Sequence, residues 1–126
     1  MNRLTSFLTS MAQLASATNY CGDSALHLTP YNAGTKGLFP VSSVLVSGAN
    51  DAILVNAQFG ASQAQDVVQI VKDSGKTLTT IYIAHGDPDY YFGLETIHAA
   101  FHNASIVATA ATVAHINETA AAKLAY

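Results

Sequence analysis

The stretch Thr77–Ala84, TLTTIYIA, constrains this chain more than any other. It is rich in β-branched and aromatic residues, which suit a pleated and packed surface, and helical patterns stand on both sides of it. Before it, Ala64, Val67, Val68 and Val71 fall at i, i+3, i+4 and i+7, which places one apolar stripe on one helix face. Ser62 followed by Gln65 reads as a capping box for that helix. Gly75 stands where a left-handed stop belongs. After the strand, Leu94, Ile97 and Phe101 mark the inner face of a second helix. A strand set between two helices requires a layered arrangement of sheet and helices.

The remaining elements extend that pattern. Val41–Val46 and Ala52–Asn56 are strand candidates joined by the turn Ser47–Asp51, so residues 41–56 read as a hairpin. Ser105–Ala108 is a short strand, and Thr109 or Thr112 caps a last helix with Val113, Ile116 and Leu124 on one side. Residues 26–40, punctuated by Pro30, Gly34, Gly37 and Pro40, read as a loop with at most one short strand. The expected order is β-β-α-β-α-β-α, an α/β fold of the α+β layered kind. The last helix reaches Tyr126 with no Gly, Pro or capping residue to stop it. Residues 26–126 are therefore expected to be a domain truncated at its C-terminus, which favours a homo-oligomer.

Composition removes several classes. The chain is 50% hydrophobic and 10% charged, too apolar for intrinsic disorder. Twenty-two residues are alanine, so the core is built from a smaller set of Val, Ile, Leu, Phe and Tyr. Five Lys and Arg against eight Asp and Glu, with no basic cluster, argue against nucleic acid as a partner. Cys21 is the single cysteine, which excludes an internal disulfide framework. No run approaches the roughly 18–20 apolar residues of a membrane span, so no membrane role is expected. Residues 1–25 are Ser/Thr/Ala-rich and read as a leader. Arg3, Leu4–Leu14 and Ala15-Ser16-Ala17 form a weak version of a secretion signal, the alternative being a short amphipathic helix. A cytoplasmic location is favoured, with periplasmic or secreted placement as the alternative. Gly75-Lys76-Thr77 resembles the end of a phosphate-binding loop. The required upstream glycine position holds Ile70, and a helix rather than a strand precedes it.

The chemistry-bearing residues follow the central strand. His85, Asp87, Asp89 and Tyr90 come within six residues, with Gly86 and Pro88 tightening the loop between them. Sites in α/β folds sit at the carboxyl ends of strands. An imidazole with two carboxylates there is a ligand set for zinc first, with iron or manganese as alternatives. The same residues also make an ordinary helix start, with Asp87 as N-cap, Pro88 at the first helical position and Asp89 at the positive end of the helix dipole.

The stretch resembles the metal-binding segment of the metallo-β-lactamase superfamily, in which His-x-His-x-Asp-His follows a strand and Gly-Leu comes soon after. Here it reads His85-Gly86-Asp87-Pro88-Asp89-Tyr90, then Tyr91-Phe92-Gly93-Leu94. The hairpin at 41–56, the turn Asn56-Ala57-Gln58-Phe59-Gly60 and the helix at 63–74 resemble the family's opening elements, so the likeness covers residues 27–126. It implies half of an αββα sandwich and a metal-dependent hydrolase acting on a small molecule with an ester, lactone, thioester, amide or phosphoester bond. It also implies metal ligands at His85, Asp87 and Asp89, Asp89 as the group that orients or deprotonates the attacking water, and Tyr90 and Tyr91 at the substrate. The departures are specific. Asp87 stands for the second histidine, Tyr90 for the last and Asn56 for the aspartate of the turn. The family's further ligands lie in segments beyond this chain. The resemblance therefore implies a degenerate, weakened site, or a non-catalytic member that self-associates or pairs with a partner.

The other histidines carry less. His98 and His102 are spaced i, i+4 on the second helix, a chelating spacing, and read as a solvated face. His115, near the apolar stripe of the last helix, reads as a partly buried structural histidine, and His27 has no interpretable context.

Overall fold

The computed structural model describes residues 25–124; the leader, apart from Ala25, lies outside them. Five strands form one sheet in chain order: β1 (His27–Asn32), β2 (Ser42–Ser47), β3 (Asp51–Val55), β4 (Thr77–Ile83) and β5 (Ser105–Ala108). β1, β2 and β3 pair antiparallel, whereas β3, β4 and β5 run parallel. Helix α1 (Ala61–Ser74) joins β3 to β4, the short α2 (Pro88–Tyr91) and α3 (Leu94–Ala100) join β4 to β5, and α4 (Ala110–Lys123) follows β5. The mixed sheet with its helices is the α+β layering that the sequence predicts.

Four local expectations need correction. β1 is a full edge strand where the sequence indicated mainly loop. Pro30 obscures it, yet an edge is where a residue without an N–H is tolerated in a sheet. Helix α1 begins at Ala61 after the N-cap Gly60, which is extended at φ −87° and ψ 148° and offers no side-chain cap. Ser62 and Gln65 therefore lie inside the helix and form no capping box. Helix α3 ends at Ala100, so His102 lies beyond it and does not share a helical face with His98. The β4–β5 connection holds two helices where one was expected. Gly75 does take the expected left-handed conformation, at φ 66°, and Thr109 caps α4 by accepting from Thr112 N at 3.2 Å.

The register sorts side chains onto two faces, because alternate residues point to opposite sides. Leu45, Leu54 and Ile81 stand side by side on β2, β3 and β4, and all three are buried. Val67, Val68 and Val71 of α1 and Ile97 of α3 close over them. Tyr31 ties the edge strand to this layer by donating its hydroxyl to Asp66 Oδ2 at 2.8 Å. Burial first, then this hydrogen bond and the Asp66 charge, raise the Tyr31 hydroxyl to about 12. The folded state thus holds the neutral phenol more firmly than the unfolded chain does. Its stabilisation is complete below the unfolded value near 10 and is lost as pH rises through about 12. Chemical denaturation of Tyr31→Phe against the parent should accordingly show a gap at pH 8 that closes in strong alkali; a gap unchanged by pH would exclude this role.

The opposite face carries two apolar rows. One runs Leu28–Val46–Ile53–Thr80 and the other Pro30–Val44–Val55–Tyr82–Val107. Leu28 is 59% exposed, and Ile53 and Val107 are each 42% exposed. Helix α4 is held lightly. Val113 and Leu124 remain exposed, and Ile116 alone of its expected stripe packs on the core.

Candidate functional site

Parallel pairing brings the carboxyl ends of β3, β4 and β5 to one edge of the sheet. The turn 56–60, the loop 84–87 and the start of α4 therefore meet there, as ligand-binding edges of α/β sheets do. Asn56 and Gln58 in the turn adopt left-handed backbone, at φ 63° and 68°. Asn tolerates that region, whereas for Gln it is a strained choice. Asn56 joins three segments. Its Oδ1 accepts from Ala84 N at 3.1 Å, its Nδ2 donates to Ser42 O at 3.2 Å, and its own N donates to Tyr82 O at 2.8 Å. Two further backbone bonds, Ala57 N to Tyr90 O and Gly93 N to Gln58 O, both 2.8 Å, fasten the turn to α2 and its exit.

Within the loop, Asp87 is extended at ψ 148°, as a residue before proline must be, and Pro88 opens α2. The Asp87 side chain makes no cap bond to the helix and faces three cationic or basic groups instead. His85 Nδ1 lies 3.3 Å from Oδ2, where a protonated ring would form an ion pair, and in the neutral ring the same atom accepts the Asp87 backbone N–H at 3.3 Å. His115 Nε2 lies 3.6 Å from Oδ1. Lys123 Nζ lies 3.4 Å from Oδ1 and donates to Gly86 O at 2.8 Å. Burial pushes the carboxyl up; the Lys123 hydrogen bond, the His85 and Lys123 charges and the His115 contact outweigh it and hold Asp87 below its ordinary value. Gly86 makes room for this closure, since a Cβ there would overlap the His115 ring. His85, Gly86, Ala111 and His115 line a groove of about 240 Å³ between loop and helix.

The predicted site residues are thus divided. His85 and Asp87 come together, while Asp89 lies in the first turn of α2, with no hydrogen bond or ion pair recorded among the described residues. The Tyr90 ring lies tilted against that of His85, with centroids 5.0 Å apart and planes at 36°. Tyr91 Oη is buried without a partner among the described residues, and its ring meets Phe92 edge-on at 5.2 Å. Phe92 stacks on Phe59, which meets Phe39 edge-on, so an aromatic row borders the turn. The sequence reading did not anticipate His115 and Lys123 at this loop. His115 is about half exposed and touches Asp87, rather than serving as a partly buried structural residue.

The divalent cation implied by the resemblance does not fit this arrangement. No three His, Cys, Asp or Glu side chains among the described residues converge closely enough to hold one. The carboxylate best placed to bind is already bonded to an ammonium. A zinc centre needs three protein ligands, deprotonated and free to converge.

Solved structures share this fold. A metallo-β-lactamase from Hirschia baltica superposes with a TM-score of 0.58 at 18% identity, over 75% of this chain and 43% of that one. The metallo-β-lactamase FIM-1 from Pseudomonas aeruginosa, solved in a mono-zinc form, gives 0.56 at 17% identity, over 75% and 42%. TMB-1 gives 0.56 at 16% identity, over 75% and 43%. The chain therefore has a metallo-β-lactamase-like fold. It spans about two-fifths of the length of each of these structures. No protein-family model matches it, and no curated protein does.

Proposed function

We propose that this chain is a hydrolase-type protein of the metallo-β-lactamase fold with a degenerate metal site. Any activity it retains is directed at an ester, lactone, thioester or amide of a small molecule. The observation that carries the reading is the state of Asp87: the residue standing where the motif has a histidine is bonded to Lys123 and flanked by two imidazoles. In this reading His85 and Asp87 are the remnant of the ligand set, and Asp89, which has no ion pair among the described residues, is the further carboxylate of the stretch. Tyr90 is the tyrosine available to a substrate, since the Tyr91 hydroxyl is buried. A divalent cation held by His85 and Asp87 would supply Lewis acidity. With the carboxylate engaged by Lys123, such chemistry would be weakened at its source. The test is metal content of the purified full chain together with hydrolysis of a panel covering the four bond types. Substoichiometric metal and weak turnover are expected. Stoichiometric zinc with rapid turnover that His85→Ala abolishes would defeat the reading.

A second reading, a non-catalytic chain that self-associates, is favoured by the two apolar rows of the sheet. They include no charged side chain, and sheets bury such faces by stacking about 10 Å apart. A second copy presenting the same rows is the proposed occupant. Light scattering of the full chain should give a dimer mass that Ile53→Asp halves, and a parent chain that stays monomeric at high concentration would exclude it.

A further inference from the structure

We infer that Lys123 is the resident cation of the loop His85–Asp87, filling the electrostatic place of a divalent metal and latching α4 to the sheet edge. This rests on the degenerate-site reading and goes beyond it, because it names what neutralises the loop.

The geometry makes the case in three parts. First, the ammonium has two oxygens of the loop within reach, Gly86 O at 2.8 Å and Asp87 Oδ1 at 3.4 Å. Its side chain is only 19% exposed, whereas that of Asp87 is 49% exposed. A lysine held this far from water on a half-exposed partner is a fixed counter-ion rather than a passing surface pair. Second, Oδ1 is engaged by Lys123, with His115 Nε2 at 3.6 Å, while Oδ2 faces His85 Nδ1 at 3.3 Å. A divalent ion arriving at Asp87 would meet an ammonium sharing the same oxygen, so the two compete. Third, among the described residues α4 has little else to hold it. None of its residues is buried, and Ile116 is its one hydrophobic contact with the core. The polar contacts at Gly86 and Asp87 thus decide where the helix lies. The close approach of His115 to Gly86 shows the same seating from a second position on α4.

The experiment uses the full chain and four variants, Lys123→Met, Lys123→Arg, Asp87→Asn and the Lys123→Met/Asp87→Asn double variant. Thermal midpoints are read in chelator, and zinc binding is read by calorimetry. Lys123→Met and Asp87→Asn should each lower the midpoint by about 2–5 °C, and the double variant should fall no further than either alone. Lys123→Arg, which keeps the charge, should stay near the parent. Zinc should bind Lys123→Met at least about tenfold more tightly than the parent, once the competing ammonium is gone. Additive losses in the double variant, or equal zinc affinity with and without Lys123, would overturn the inference. Should Lys123→Met fail to fold, Lys123→Arg and Asp87→Asn still decide it: an arginine variant as unstable as Asp87→Asn refutes the charge-based latch. Hydrolysis is not read here, so failure of the latch is distinguishable from failure of the degenerate-site reading.

Discussion

Gly93→Val should cost about 3 kcal/mol or more. The reason is space and not backbone conformation, since Gly93 sits at φ −74°, which any residue adopts. A Cβ at Gly93 would overlap Ala57 O and lie 2.9 Å from Ala64 Cβ and 3.0 Å from Gln58 O. Two of those atoms are backbone of the turn beside the site, and Ala64 is fully buried in α1. None is the far end of a flexible side chain that can swing aside. The short Gly93 N to Gln58 O bond, 2.8 Å, would stretch as the chains part. Gly93→Ala should fall in the same direction with a smaller loss. Gly48→Ala is the control, because the nearest atom to a Cβ there is 3.8 Å away. Denaturant midpoints check the series, and a Gly93→Val protein as stable as Gly48→Ala would refute the packing described here.

Gln58→Ala is the second large effect, expected at about 2–4 kcal/mol. Gln58 is 1% exposed, and its Nε2 donates to Val41 O at 3.1 Å and to Ser43 Oγ at 2.8 Å. Ser43 Oγ in turn donates to Asn56 O at 2.9 Å, so the amide ends a buried chain of hydrogen bonds joining β2 to the turn. Truncation leaves Val41 O without this donor, opens a cavity, and keeps the left-handed backbone at φ 68° that alanine also disfavours. Its Oε1 has no partner in the described residues. Gln58→Glu would add a buried negative charge beside accepting oxygens. It should therefore be less stable than Gln58→Ala at neutral pH and recover in acid, as the carboxyl protonates. Urea melts at pH 7 and pH 4 separate the two.

These two positions also mark how far the sequence can be read. The core was legible where the pattern is local. The period of Ala64, Val67, Val68 and Val71, the β-branched run of β4 and the stop at Gly75 each follow from neighbours along the chain, and each is where it was expected. β1 was obscured by Pro30, which is acceptable only because β1 turned out to be an edge. The loop His85–Tyr90 carried the resemblance in the sequence, and the fold that the resemblance implies is shared with solved metallo-β-lactamases. Its electrostatic partners were not legible. Lys123 lies 36 residues from Asp87, and nothing in the last-turn basic residue of a helix announces which carboxylate it reaches. Gln58 looked like an ordinary turn residue, because burial of its amide depends on β2 lying beneath it.

The most direct measurement of the account is a calorimetric zinc titration of the full chain at neutral pH, with the metal removed beforehand. A loop whose carboxylate is held by Lys123 should bind zinc more weakly than about 1 μM, a free energy of about 8 kcal/mol. One equivalent of zinc bound far more tightly than that, at a site lost in His85→Ala, would contradict it.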